Sequence, residues 1–255
     1  MAGRPLNRWF TFNNGCMTMI GVVIIFISGC HKDGGVCISS PGPVVLESRI
    51  IENFDSIAMY DYLNLILTQD TLNRVLVETG SNIARGISTE VSNRQLILHN
   101  RNKCNWLRDY DIPINVYVSV KNLMKLHYES SGNVTTTNKL TSWDLKVDLW
   151  GGCGSVTLEV DNYSGTFIQY LGTADLTLHG ICKICSLFAG EFGPFHCEDL
   201  QTGYLYIISN SSNDCYILAG YYLDATIRSI GNIYYYGKPD TMKITIEGSG
   251  NVIQL

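Results

Sequence analysis

The sequence predicts an all-β chain wound as a right-handed parallel β-solenoid with repeats of about 20 residues. Three observations predict it. Apolar residues alternate with polar ones from Val44 onward, a unit of strand, small-residue turn and strand recurs, and nothing after the leader carries a sustained helical stripe. Composition agrees: only 16% of residues are charged, and 24 glycines with 15 tyrosines suit strands and turns rather than helices.

Along the chain, Leu63, Leu65 and Leu67 alternate with Tyr62, Asn64 and Ile66, and Leu96 and Leu98 flank Ile97. Ile114, Val116 and Val118 alternate with Asn115, Tyr117 and Ser119. Between these strands the stretch Ser81 to Gly86 reads as one short turn of helix. The repeat then sets in. Leu123-Met-Lys-Leu126 precedes Ser130-Ser-Gly-Asn-Val134, and Leu145-Lys-Val-Asp-Leu149 precedes Gly152-Cys-Gly-Ser-Val156. Leu223-Asp-Ala-Thr-Ile227 precedes Ser229-Ile-Gly-Asn-Ile233, and Met242-Lys-Ile-Thr-Ile246 precedes Gly248-Ser-Gly-Asn-Val252. Aligning the turns places Gly132, Gly154, Gly172, Gly193, Ser212, Gly231 and Gly250 at intervals of 22, 18, 21, 19, 19 and 19.

A unit this short cannot bury its own apolar face, so the units must stack, each coil climbing about 4.8 Å. In the last coil this register turns Ile244 and Ile246 inward and leaves Lys243 and Glu247 outside. Short strands at even spacing also suit a β-sandwich, which stands as the alternative architecture.

The N-terminus reads as an export signal over residues 1–29: Arg4 and Arg8, then the apolar run Met17 to Ile27, shorter than the roughly 20 residues of a membrane span. Ile27-Ser28-Gly29-Cys30 resembles the lipobox of bacterial lipoproteins. That resemblance implies cleavage before Cys30, lipidation of its thiol and a membrane anchor. Residues 30–43 read as a flexible tether and 44–255 as the folded domain. His31 after the cysteine implies, by similarity to enterobacterial sorting, the outer membrane of a Gram-negative cell. Without residues 1–29, 16 basic residues stand against 23 acidic ones, a charge of −7. No Lys/Arg cluster interrupts that balance, which argues against a nucleic-acid partner.

The order strand, Ser-Ile-Gly-Asn-Ile233, Tyr-Gly-Lys-Pro239, strand, Gly-Ser-Gly-Asn-Val252 resembles the head-GIN-domain family of auto-transporter adhesins. Ile51-Glu-Asn-Phe-Asp-Ser-Ile57 is similar to that family's entry strand, and the turn at Ser81 falls where the family has its own. The resemblance covers roughly Val44 to Leu255 and departs from the family at Gly190 to Phe195 and Asn210 to Asn213, where the usual turn is replaced. It implies a β-helical envelope protein with an adhesive role and supplies no ligand; no cofactor is expected.

Seven cysteines remain beyond Cys30, an odd number for an oxidising compartment. Cys197 and Cys215, close to one repeat apart, are expected to stack in adjacent coils as a pair of thiols or a disulfide. Cys182-Lys-Ile-Cys185 has half the spacing of a zinc site without a second half, so no metal is expected. No catalytic signature occurs. The enzymatic alternative is a polysaccharide lyase or glycosidase, whose carboxylates would come from Asp148, Asp175 or Asp224; of these Asp148 and Asp224 are expected to face outward, in separated coils. Eight of the tyrosines fall between Tyr204 and Tyr236. Tyr206, Tyr222 and Tyr235 are the candidate contact residues for a surface glycan or protein, with a stiffening aromatic ladder as the competing role.

Overall fold

The computed structural model describes residues 40–103 and 112–255. The proposed signal, Cys30 and the tether up to residue 39 lie outside the described residues, as do Cys37 and Cys104. The last part of the segment read as tether is already in the fold: Ser81 N–H donates to the Pro43 carbonyl (2.9 Å) and Asn82 N–H to that of Pro41 (3.0 Å).

The structure is a right-handed parallel β-solenoid of about six turns rather than a sandwich. Its N-terminal part comprises β1 (Val44–Arg49), β2 (Ser56–Asp61), β3 (Asn64–Gln69), β4 (Arg74–Gly80), helix α1 (Ser81–Ala84), β5 (Ile87–Ser92), β6 (Gln95–Asn100) and β7 (Asn115–Val120). The regular coils follow as β8 (Lys125–Ser130), β9 (Val134–Thr136), β10 (Leu140–Trp150), β11 (Ser155–Leu171), β12 (Asp175–Ala189) and β13 (Phe195–Ser209). Shorter strands complete the chain: β14 (Cys215–Ala219), β15 (Tyr222–Ile227), β16 (Ile233–Gly237), β17 (Thr241–Ile246) and β18 (Val252–Gln254).

From β8 onward each strand pairs in parallel with the strand one coil later. Lys125 lies opposite Lys146, Leu140 opposite Val160, Val156 opposite Leu176, Cys215 opposite Ile233 and Ile233 opposite Val252. The alternation sends Leu65, Val116, Leu126, Val147, Leu158, Leu187, Ile207 and Leu223 into one continuous apolar interior.

The first coil departs from the simple winding the repeat predicts. β2 pairs with both β6 and β8, and β3 with both β7 and β9, so the first coil is enclosed between two later ones. The chain folds back to make an antiparallel cover, β1 on β4, β4 on β7 and β5 on β6. The β5–β6 hairpin turns at Asn93 and Arg94, whose φ values of 50° and 63° are those of a two-residue I′ turn that follows the strands' twist. This cover moves the N-terminal edges of the sheets out to β1 and β5, each paired on one side only among the described residues.

Among the described residues the opposite end lacks such a cover, which overturns the expected burial of Ile244 and Ile246. They continue the inward files of Ala225 and Ile227 but are 45% and 51% exposed, because nothing described stacks on them.

The corners explain the Gly-Asn turns. A Cβ at Gly154 or Gly250 would drive into the carbonyl oxygen of Gly132 or Gly231 one coil earlier, so the coils touch backbone to backbone there. The following asparagine bonds across the coils. Ser155 N–H donates to Asn133 Oδ1 (3.0 Å), Asn232 N–H to Asp214 Oδ1 (2.8 Å) and Asn251 N–H to Asn232 Oδ1 (2.9 Å). Two corner assignments shift by register. Gly154 is matched by Ala174 rather than Gly172, and Gly193 by Asn213 rather than Ser212. Gly172 instead occupies a bend with φ of 94°.

Candidate binding surface

Tyr204 and Tyr206 leave β13 on its outer face, and Tyr222 leaves β15 between them. Tyr204 lies opposite Tyr222 and Tyr206 opposite Asp224. The Tyr222 ring centroid is 6.2 Å from that of Tyr204 and 5.6 Å from that of Tyr206. Tyr206 is 41% exposed and Tyr222 half-buried, so the cluster offers apolar ring surface together with phenol hydroxyls. Asp224 closes its edge through an ion pair with Lys243 at 3.0 Å.

Tyr235 is not part of this surface. It is 8% exposed, lies opposite Ile217 and packs in the core. Within Tyr234-Tyr235-Tyr236 alternation from inward Ile233 sends the middle ring inside. Tyr234 points out on the other sheet and extends a ladder: it stacks on Tyr216 at 5.2 Å and 12°, which stacks on His196 at 5.7 Å and 5°. The clustered tyrosines thus divide between an exposed outer-face cluster, a stacked ladder and the core.

The candidate acids do not converge. Asp175 is exposed at a corner, and Asp224 is held by Lys243. Asp148 does point outward, yet it is only 4% exposed, because it lies opposite His127 and accepts from His127 Nδ1 at 2.9 Å. His127 Nε2 stands 3.7 Å from Glu129, and its ring lies against Tyr60 at 5.5 Å. The imidazole therefore fills the space between the two carboxylates that a glycosidase would keep open for sugar and water. Burial first, then Glu129 and Asp148, raises the Tyr60 pKa above its ordinary value, the wrong direction for a base. This cluster went unread in the sequence, although His127 and Asp148 are one coil apart in spacing.

The cysteine expectation fails on register. Phe195 lies opposite Cys215, and Cys197 opposite Ile217, so the pair is offset along the strands. Cys182, Cys185, Cys197 and Cys215 are free thiols inside the solenoid, while Cys153 is free and exposed. The Cys185 pKa is pushed up by its contact with Cys182 and by burial, and that of Cys197 by burial. Burial raises Cys215 to about 12. A water-soluble maleimide at neutral pH is expected to label Cys153 and to leave these four unlabelled until denaturant is added, as read by peptide mass mapping. Equal labelling of Cys197 and Cys153 in the folded protein would refute the interior placement.

A further aromatic pair was missed as well. Trp143 stacks on Tyr163 with ring centroids 4.3 Å apart at 10°, and Trp143 is 74% exposed. The two are separated by the same length of chain as the register partners Leu140 and Val160, one full coil, which is the signal that links them.

Solved structures that share this fold include several described as adhesins. A putative adhesin from Bacteroides fragilis superposes with a TM-score of 0.79 at 19% identity, covering 85% of this chain and 100% of that one. A putative adhesin from Parabacteroides distasonis gives 0.59 at 17% identity, over 84% of this chain and 98% of that one. A protein of the same species described as a putative lipid binding protein gives 0.59 at 18% identity, over 86% and 99%. No curated protein matches the sequence. At these identities the likenesses establish the fold. The family model for the putative auto-transporter adhesin, head GIN domain, matches residues 53–239, most of the chain, and the chain belongs to that family.

Proposed function

We propose that this chain is a non-catalytic adhesion domain displayed on the cell envelope, anchored by lipid at Cys30, and that the Tyr204, Tyr206 and Tyr222 cluster contacts a glycan or protein partner. The observation that carries this reading is the cluster itself: three rings on the outer face of adjacent strands, next to a fixed ion pair, on a rigid solenoid. Membership of an adhesin family supports the class of function. The occupied space between Asp148 and Glu129 weighs against a glycosidase.

Each aromatic contact contributes about 0.5–1.5 kcal/mol beyond its buried area, so losing three should weaken adhesion by about tenfold or more. The triple variant Tyr204→Ser, Tyr206→Ser, Tyr222→Ser is expected to lose binding of the purified chain to surface polysaccharide or partner cells, with an unchanged circular-dichroism spectrum. Undiminished adhesion by the folded variant would assign these rings to stiffening alone. In the same preparation, Cys30→Ala is expected to move the protein from the detergent phase to the aqueous phase. A variant that still partitions into detergent refutes the lipid anchor.

A further inference from the structure

We propose that the corner loops of the first three coils, continued by Trp143, Tyr163 and Lys183, form a second binding site, and that its ligand is an acidic polysaccharide of the uronate class. A groove of about 450 Å³ opens between the loop before β2, the β3–β4 loop, the tip of the β5–β6 hairpin and the β7–β8 loop. Its walls are set by bonds that leave three of the lining side chains, those of Asn53, Lys121 and Asn122, uncommitted. Asn73 Nδ2 donates to the Phe54 carbonyl (2.7 Å), and Lys121 N–H donates to Asn73 Oδ1 (3.0 Å). Gln69 ties the next coil to this wall, donating to the Thr141 carbonyl (3.0 Å) and accepting from Thr141 N–H (2.6 Å).

Into this fixed groove project Asn53, Asn122 and Lys121, whose side chains have no hydrogen-bond or ion-pair partner among the described residues. Arg94 spends Nε and one terminal nitrogen on a single oxygen of Asp55, at 2.8 and 2.7 Å, and its Nη1 edge stays open. Two cations thus meet one carboxylate, leaving a local positive charge on a chain whose formal charge is −5.

The loops continue into a file with one member per coil. Lys125 lies opposite Lys146, and at the same step back along the chain from each stand Asn122 and Trp143. Trp143 stacks on Tyr163, and Lys183 Nζ lies 5.7 Å from the Tyr163 centroid. The file thus runs from the amide of Asn122, next to Lys121 in the chain, through two exposed rings to the cation of Lys183, advancing by one strand spacing, about 4.8 Å, per step. The repeat of an extended pyranose chain is close to this spacing.

The chemistry selects the ligand. Free amides match sugar hydroxyls as donor and acceptor together, flat rings match the C–H face of a pyranose, and Lys121, Arg94 and Lys183 call for carboxylates along the polymer. A neutral glycan would leave those cations partly desolvated without partners. A nucleic acid would require many more uncompensated charges.

The test is affinity electrophoresis of the full chain in gels containing polygalacturonate, alginate or hyaluronan, with dextran as the neutral control. Retardation is expected with at least one uronate polymer and not with dextran. It should fall tenfold or more in Trp143→Ala and in Lys121→Met with Lys183→Met, and stay unchanged in Lys238→Met, an exposed lysine on the β16–β17 loop outside this file. That last comparison separates this site from a general effect of surface charge. Thermal melts check that each variant is folded, and if Trp143→Ala is not, the lysine pair carries the test. The proposal is overturned by no retardation with any of the three polymers, by equal retardation with dextran, or by folded groove variants that bind like the unaltered chain.

Discussion

Ile227→Asp is expected to destabilise the protein by about 3–5 kcal/mol, whereas Ile246→Asp should cost less than about 1 kcal/mol. The two residues are register partners with identical side chains, on adjacent coils and in one inward file. Ile227 is 0% exposed, and Ile246 stands over it. A carboxylate at 227 would lie in the apolar interior without a cation, while one at 246 stays in water at the open end. Urea unfolding reads the difference as a shifted midpoint at unchanged slope. Equal midpoints for the two variants would mean that the last coil is covered in solution or that the register is wrong.

The second large effect is expected at a corner. Gly154→Ala should cost about 3 kcal/mol or more, although Gly154 has no positive φ and alanine suits its backbone. The cost is steric. The added methyl would press on the Gly132 carbonyl and stand 2.6 Å from the Tyr128 hydroxyl. That hydroxyl joins two coils, donating to the Gly132 carbonyl (2.8 Å) and accepting from Gly154 N–H (3.0 Å), and burial has pushed its pKa up to about 12. Overpacking and loss of buried hydrogen bonds act together here. Gly151→Ala is the control. Its methyl meets nothing within 4 Å, and only the φ of 80° opposes it, at about 1–2 kcal/mol. If the two variants melt at the same temperature, backbone conformation rather than coil contact governs these corners.

The repeat is legible because its two causes are local. Alternation marks which side chains enter the core, and backbone contact at the corners demands small residues at coil intervals. The errors arise where another residue meets the same demand. Ala174 and Asn213 take corner places that glycine or serine identity assigns to Gly172 and Ser212. Phe195 pairs with Cys215 while Tyr204 pairs with Tyr222, so the coil is longer along one sheet than along the other. A uniform repeat therefore sets Cys197 beside the wrong partner. Tyr235 needs only the inward position of Ile233 to be placed. Of the exposed tyrosine cluster, Tyr206 and Tyr222 are readable from clustering and alternation. The groove is not, because its walls come from four loops that only the fold-back of the chain brings together.

That fold-back sets an order of assembly. Strand β2 must wait for partners far along the chain, since Ser56 pairs with both Gln95 and Lys125. The C-terminal coils need close only one repeat at a time, as where Tyr204 meets Tyr222 and Cys215 meets Ile233. Closing longer loops costs more chain entropy before any contact compensates for it, so nucleation belongs to the C-terminal coils and the first coil joins late. A chain emerging from its N-terminus therefore cannot complete the pairing of β3 until Thr136 of β9 is free, more than sixty residues later.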